Sequence, residues 1–202
     1  MHKGKLFVFS GPSGTGKGTI VKELLKSPDT WFSVSCTTRA PREGEIDGVH
    51  YFFVTQEKYD QMVEEGGFLE HASIYNNSYG TPKAPALEAM EQGKDVILDI
   101  EMQGAFQIKE AYPDAILVFV LPPSLKELSN RIHHRGTETE EQIQVRMATT
   151  LQEIEQLPKY HYFLINDDLD RAVEDAKSII KAEHCKVDGA ASSVINRFKE
   201  EK

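Results

Sequence analysis

The sequence predicts an α/β fold in which a parallel sheet is covered by helices. Three observations carry that expectation. Short runs nearly continuous in Val, Ile, Leu and Phe recur along the chain, as strands buried on both faces require. Longer amphipathic stretches alternate with them, the order of strand–helix–strand units. The first run leads through a glycine-rich loop into a helical pattern, in "FVFSGPSGTGKGTIVKELL" at 7–25.

Taken in order, the strand candidates are "KLFVFS" (5–10), "FSVSC" (32–36), "DVILDI" (95–100), "AILVFVL" (115–121) and "HYFLIN" (161–166). The helical candidates are "TIVKELLK", "SLKELSNRIHHRG", "ETEEQIQVRMATTLQEIEQL" and "LDRAVEDAKSIIKAEHC". The second of these opens with Ser124 and Glu127 at capping-box spacing. Two regions break the alternation. Residues 35–86 mix short aromatic strands ("VHYFFV", "FLEHASIY") with turn chemistry at Asp47-Gly48 and Asn76-Asn77 and one helix, as an inserted lobe would. Residues 124–156 are charged helices around "HHRGTETEE", the composition of a mobile flap. The core is left to 4–34, 87–123 and 157–186, and 187–202 loses strong periodicity and reads as a loosely attached tail.

The bulk numbers narrow the classes. A chain of 202 residues fits one compact domain with small lobes. A formal net charge of −9 argues against nonspecific binding to nucleic acid or to an anionic membrane. Cys36 and Cys185 lie far apart without a pairing pattern, which fits a reducing compartment. No run approaches the roughly 18 apolar residues of a membrane span, and the N-terminus lacks a signal-peptide core. These features point to the cytoplasm. His133 and His134, adjacent on a helix, point different ways and do not make a metal pair.

In the loop, Gly11, Gly14 and Gly16 let the backbone turn several N–H groups toward one anion, and the helix that follows presents its positive end. Lys17 adds a point charge able to reach β- and γ-phosphates. Pro12, Ser13 and Thr15 complete the wall. The usual phosphate-loop pattern has Ser or Thr after the lysine, where this chain has Gly18, and Thr19 comes one place later. The hydroxyl that usually touches magnesium is therefore displaced. Thr19 remains able to meet a phosphate, or the metal, through its hydroxyl or backbone.

A second anion site is indicated by the arginines. There are seven, and five fall in two groups: Arg39 and Arg42, then Arg131, Arg135 and Arg146. Guanidinium forks match phosphate oxygens; solvated surface charge is the alternative for any single one.

Together, "FSGPSGTGKGT", "SVSCTTRAPREGEIDGVHYFFV", "FLEHASIYNNSYGTPK", "VILDIEMQGA", "RIHHRGTETEEQIQVRM" and "FLINDDLDRA" resemble guanylate kinase, in unbroken order over roughly residues 4–182. The loop is shared widely, whereas the "TTRAPREGEIDGVHYFFV" pattern is specific to that family. Loops of the form "GKGT" are familiar among nucleoside monophosphate kinases. The resemblance implies a three-layer phosphate-loop kinase core with a parallel sheet, an inserted GMP-binding lobe (35–86) and a helical lid (124–156). It implies that Arg39, Arg42, Tyr51 and Tyr79 contact the GMP phosphate and that Ser35, Glu70 and Thr81 contact guanine. It places Asp99 and Glu101 beside GMP and the magnesium, Glu101 standing where the family commonly has Asp. It puts Asn166 near the ATP base, while Asp167 and Asp168 suit a helix cap equally.

The chemistry of these residue types is consistent with the transfer. Guanine offers two adjacent donors, N1–H and the 2-amino group, which one ionised carboxylate accepts together. Adenine would set a lone pair against that carboxylate. The alternative for Glu70 is an ordinary strand-face acid, and for Glu101 an acid with no metal role. The reaction implied is Mg²⁺-dependent transfer from ATP to GMP and dGMP, with Lys17, Arg39 and the lid arginines Arg131, Arg135 and Arg146 neutralising charge. Two rivals stay open at this point. A kinase for another phosphorylated acceptor, such as a ribose bisphosphate, would share the loop but not the guanine-reading set. A non-catalytic binding module would have a degraded loop.

Overall fold

The computed structural model describes residues 3–74, 76–135, 140–187 and 191–200. Strand β1 (Leu6–Ser10) runs into the glycine-rich loop and helix α1 (Lys17–Leu24), and β2 (Thr30–Phe32) follows. The lobe then contributes β3 (Cys36–Thr37), β4 (Phe52–Phe53), α2 (Gln56–Glu64), β5 (Phe68–Ile74) and β6 (Asn77–Pro82). Helix α3 (Lys83–Glu91) returns the chain to β7 (Asp95–Asp99), α4 (Met102–Ala111) and β8 (Ile116–Leu121). Helices α5 (Leu125–Arg135) and α6 (Glu140–Ile154) precede β9 (Tyr162–Ile165), α7 (Leu169–His184) and α8 (Ala191–Glu200).

The main sheet has the order β2-β7-β1-β8-β9 and every pair is parallel. Alternation along β1 explains its unbroken hydrophobic run. Phe7 and Phe9 face α1 and α7, packing with Ile20, Leu24, Val173 and Ala176. Leu6 and Val8 face α3 and α4, packing with Met90, Ala105 and Ile108. Both faces of the strand are thus covered, giving three layers. Because β1 lies between β7 and β8, the loop after it opens at the carboxyl ends of the strands where the connections diverge, the position at which such sheets bind ligands.

A second sheet, β4-β3-β6-β5, is drawn from residues 36–82; β6 is antiparallel to β3 and β5, and β4 is parallel to β3. Its small core is Cys36, Tyr59 and Phe68. Leu69 of β5 reaches instead into the α3/α4 side of the main core, so the lobe is joined to the body by packing as well as by chain. Residues 83–86, counted with the lobe on sequence, begin α3, and Ala86 packs with the main sheet.

Three expectations need correction. The run 32–36 is not one strand: β2 ends at Phe32 in the main sheet and β3 begins at Cys36 in the other. Strand β6 was hidden behind the Asn76-Asn77 turn signal, and it is the partner that pairs both β3 and β5. Within the tail, "ASSVINRFKE" forms α8, a helix the weak periodicity did not announce. The Ser124–Glu127 box is half made: Ser124 Oγ accepts the Glu127 N–H at 3.1 Å, but the Glu127 carboxylate turns to Arg131 Nε at 3.0 Å.

Asp168 does cap α7, its Oδ1 accepting the Arg171 N–H at 2.9 Å. Asp168→Ala is expected to cost about 1 kcal/mol and to lower the thermal midpoint by about 2–4 °C, read by calorimetry.

Candidate active site

The loop needs glycine for reasons of space and of backbone angle. At Gly11 φ is 139° and a Cβ would lie 2.4 Å from the Val120 carbonyl oxygen. At Gly16 φ is 87° and a Cβ would lie 2.2 Å from Asn166 Nδ2. Glycine alone meets both demands without strain. Asn166 occupies the second space to a purpose. Its Nδ2 donates to the Thr15 carbonyl at 2.7 Å, and its own carbonyl accepts from Arg131 Nη2 at 3.1 Å. Its backbone N–H donates to the Leu121 carbonyl at 2.9 Å. One buried residue after β9 therefore braces the loop against the sheet and against α5. Beside it lies a cavity of about 490 Å³, lined by Gly14, Gly16, Asn130, Arg131 and His134.

Register sets the next contact. Phe9 of β1 is paired with Asp99, the last residue of β7, so the acid lands beside the first turn of α1. Lys17 Nζ lies 2.9 Å from Asp99 Oδ1. A Cβ on Gly18 would lie 3.4 Å from Asp99 Oδ2. The carboxylate of Asp99 therefore stands at van der Waals distance from the position after the lysine. Thr19 is exposed on the open side.

A larger cavity, of about 1390 Å³, runs from the loop to α6 and is lined also by Ser73, Glu101, Arg146 and Glu153. Burial, with the Glu101 charge behind it, pushes the Glu153 carboxyl above its usual range. Glu153 escaped sequence reading because nothing distinguishes it from the other acids of α6. Arg131 is tied to Glu127 and Asn166. The side chain of Arg135 lies outside the described residues. Among the described residues no group of three or more His, Cys, Asp or Glu could hold a metal.

In the lobe, Thr81 Oγ1 donates to Glu70 Oε1 at 2.7 Å, both side chains being buried. Burial pushes the Glu70 carboxyl above its ordinary value, and the Thr81 contacts hold it back. Arg39 makes a two-pronged pair with Glu45, at 3.0 and 2.9 Å, and lies 5.5 Å from the Tyr51 ring centroid. Glu45 also accepts the Arg42 N–H at 2.7 Å. Held first by Arg39 and then by Arg42, its carboxyl is drawn down to about 2. Tyr51 and Tyr79 meet edge to face, 6.0 Å between centroids, and the Tyr79 carbonyl accepts the Tyr59 hydroxyl at 2.7 Å. Ser35 lies between β2 and β3, its carbonyl accepting the Phe52 N–H at 2.9 Å. The Arg42 side chain is exposed.

Glu45 and Tyr59 were missed as positioning groups, although Glu45 stands in the quoted "PREGE". Cys36 is buried, which pushes its thiol up to about 11. That is a packing residue and no nucleophile. His133 and His134 each bring Nδ1 to 2.7 Å from the carbonyl four residues earlier.

A strand–glycine loop–helix unit at the carboxyl end of a parallel sheet, a second lobe carrying a buried carboxylate, and a cavity between the loop and α6 match the fold of a phosphate-loop kinase of the nucleoside monophosphate class. Comparison with known proteins specifies it further. Residues 3–183 match the family model for guanylate kinase. The guanylate kinase of Clostridioides difficile (strain 630) is 54% identical over 202 residues, 100% of this chain and 98% of that one. That of Clostridium tetani is 52% identical over 195 residues, covering 96% and 94%. Among solved structures, the guanylate kinase of Anaplasma phagocytophilum superposes with a TM-score of 0.75 at 31% identity, covering 92% of this chain and 89% of that one. The chain belongs to the guanylate kinase family.

The raised Glu70 pKa has a consequence for stability. Ionised Glu70 costs folding free energy at every pH above its folded pKa, and the cost vanishes below the unfolded value of about 4.5. Glu70→Gln, which can still accept from Thr81, is expected to melt at or above the parent temperature at pH 8. The difference should shrink to nothing as pH falls to about 4.5. A lower midpoint at pH 8 would contradict this electrostatic assignment.

Proposed function

We propose that the protein transfers the γ-phosphoryl group of ATP to GMP, and to dGMP, yielding ADP and the guanosine diphosphate. The carrying observation is the buried Glu70 carboxylate held by Thr81. A carboxylate desolvated to this degree and tied only by neutral donors of Thr81 keeps lone pairs for N1–H and the 2-amino group of guanine. Adenine leaves those lone pairs opposed, a mismatch costing ~10⁴-fold or more where the polar groups are buried. With Ser35 this forms the base-reading set. Nothing in it addresses a 2′-hydroxyl, which is why the deoxy form is included.

Arg39, Arg42, Tyr51 and Tyr79 hold the GMP phosphate. Glu45 orients the Arg39 guanidinium and the tyrosine rings wall it, so the fork is aimed before substrate arrives. The phosphates of ATP lie along Gly11–Thr19 with Lys17 at the β and γ positions. Its base occupies the cavity lined by Asn130, Arg131 and His134, with Asn166 bracing the wall. Arg146 faces the larger cavity from α6, and with Arg131 and Arg135 it meets the charge that develops on the transferred group. The acceptor phosphate is already an anionic nucleophile near neutral pH, so the residues hold, align and neutralise, and no side chain must take a proton.

The donors present suit Mg²⁺. Thr19, Asp99 and Glu101 offer hard oxygen atoms, the ligand type Mg²⁺ takes beside substrate phosphates. Bound there, Mg²⁺ would neutralise phosphate charge and link ATP to the loop. Among the described residues no helix is long and apolar enough to cross a membrane, and with two unpaired cysteines the reading places the enzyme in the cytoplasm.

The test is ADP formation from ATP and Mg²⁺ with GMP, dGMP, AMP, UMP and ribose 1,5-bisphosphate in parallel. GMP and dGMP are expected to turn over, and Glu70→Ala to lose roughly a hundredfold or more in kcat/KM for both. Turnover with another acceptor alone would overturn the substrate; none with any would return the chain to a binding role. Arg146→Ala is expected to lower kcat by roughly 10²–10³ while GMP affinity is kept. Equal losses in both would sink its lid assignment.

A further inference from the structure

Helix α4 carries a glycine, Gly104, three residues into its length. Helix interiors disfavour glycine by roughly 0.5–1 kcal/mol relative to alanine, and no positive φ is needed here, since Gly104 is not among the residues with that conformation. The reason for it is therefore sought in what lies opposite. A Cβ at Gly104 would come within 2.7 Å of Glu70 Oε2 and 3.1 Å of Glu70 Cδ. The neighbouring Ile100 Cδ1 would stand 3.3 Å away. The other carboxylate oxygen is fixed by Thr81 at 2.7 Å. The Glu70 carboxylate is thus seated between a hydroxyl on one side and a bare α-carbon on the other.

We propose that Gly104 is a specificity-determining positioning residue, whose missing side chain sets where the base-reading carboxylate stands. This rests on the guanine-reading role given to Glu70 above. A methyl group at Gly104 meets two side-chain ends: the Glu70 carboxylate, which must move, and Ile100 Cδ1, which need give only a few tenths of an ångström. The helix loses nothing and gains propensity, while the carboxylate swings off the line that both guanine donors need. The substitution therefore separates two quantities that a packing residue would move together. Stability is kept or raised, and discrimination for guanine is lost.

The experiment compares parent, Gly104→Ala, Glu70→Gln, Glu70→Asp and the double variant Gly104→Ala/Glu70→Asp, measuring KM for GMP, KM for ATP, GMP-over-AMP selectivity and the thermal midpoint. Gly104→Ala is expected to raise KM for GMP by roughly 10- to 100-fold and to lower the selectivity in proportion. KM for ATP should stay within twofold and the midpoint should not fall. In the Glu70→Asp background, where the carboxylate is one methylene shorter, the added cost of Gly104→Ala should shrink to a few-fold, the coupling expected of touching groups. If Glu70→Gln leaves KM for GMP unchanged, the reading of Glu70 fails and the inference with it. If Glu70→Gln raises KM but Gly104→Ala does not, the inference alone is overturned. A fallen midpoint with ATP binding lost as well would make Gly104 a packing residue and overturn it too.

Discussion

The approach of Lys17 to Asp99 is the contact on which the rest of the site depends. It joins the first residue of α1 to the last residue of β7 at 2.9 Å, and it exists because β1 and β7 run parallel with Phe9 opposite Asp99. A shift of one residue along either strand would turn the acid to the other face of the sheet. From this contact follow the direction of the lysine and the position of the carboxylate against Gly18. The position after the lysine, where the hydroxyl is missing, lies beside an acid oxygen instead.

Two polyanions must be brought together on a chain whose own net charge is −9. The structure answers by concentrating guanidinium groups and by spending acids to aim them. Glu45 fixes Arg39, and Glu127 with the Asn166 carbonyl fixes Arg131. Each such pair lies part-exposed, where the Coulomb gain is modest; the return lies in orientation set before binding. Glu70 is the opposite arrangement. It is a buried acid held only by neutral donors of Thr81, at a cost to stability, and on the proposed reading that cost is the means of reading a base. On the inference drawn above, Gly104 belongs with it, an empty position that decides where a charged one sits.

Much of this was legible in the sequence, and the failures have physical causes. The loop was readable because phosphate binding through backbone N–H groups demands glycine at fixed intervals. The main strands were readable because burial on both faces leaves an unbroken apolar run. The stretch 32–36 misled because its apolar residues serve two sheets, and periodicity carries no information about which sheet a residue joins. Strand β6 was obscured by Asn and Gly, residues that favour turns, and is held by its pairing with β3 and β5. Asn166 was placed near the nucleotide base by resemblance; that its amide also braces the loop, a contact across 151 residues of chain, needed the structure. Glu45 and Gly104 were quoted within motifs without a role, since their effects pass through Arg39 and Glu70 and need the third dimension. The Glu70–Thr81 pair was named from resemblance, and only the 2.7 Å hydrogen bond and its burial give it a mechanism.

The central claim is that one buried carboxylate accepts two adjacent donors from guanine. Equilibrium binding of GMP and inosine 5′-monophosphate, measured by calorimetry without ATP, tests it most directly. The two ligands share phosphate, ribose, O6 and N1–H, and differ only in the 2-amino group. Loss of one hydrogen bond to a buried charge should weaken the inosine compound by roughly tenfold or more in the parent. In Glu70→Ala the two ligands should bind alike. Equal affinity in the parent would contradict the two-donor reading of Glu70.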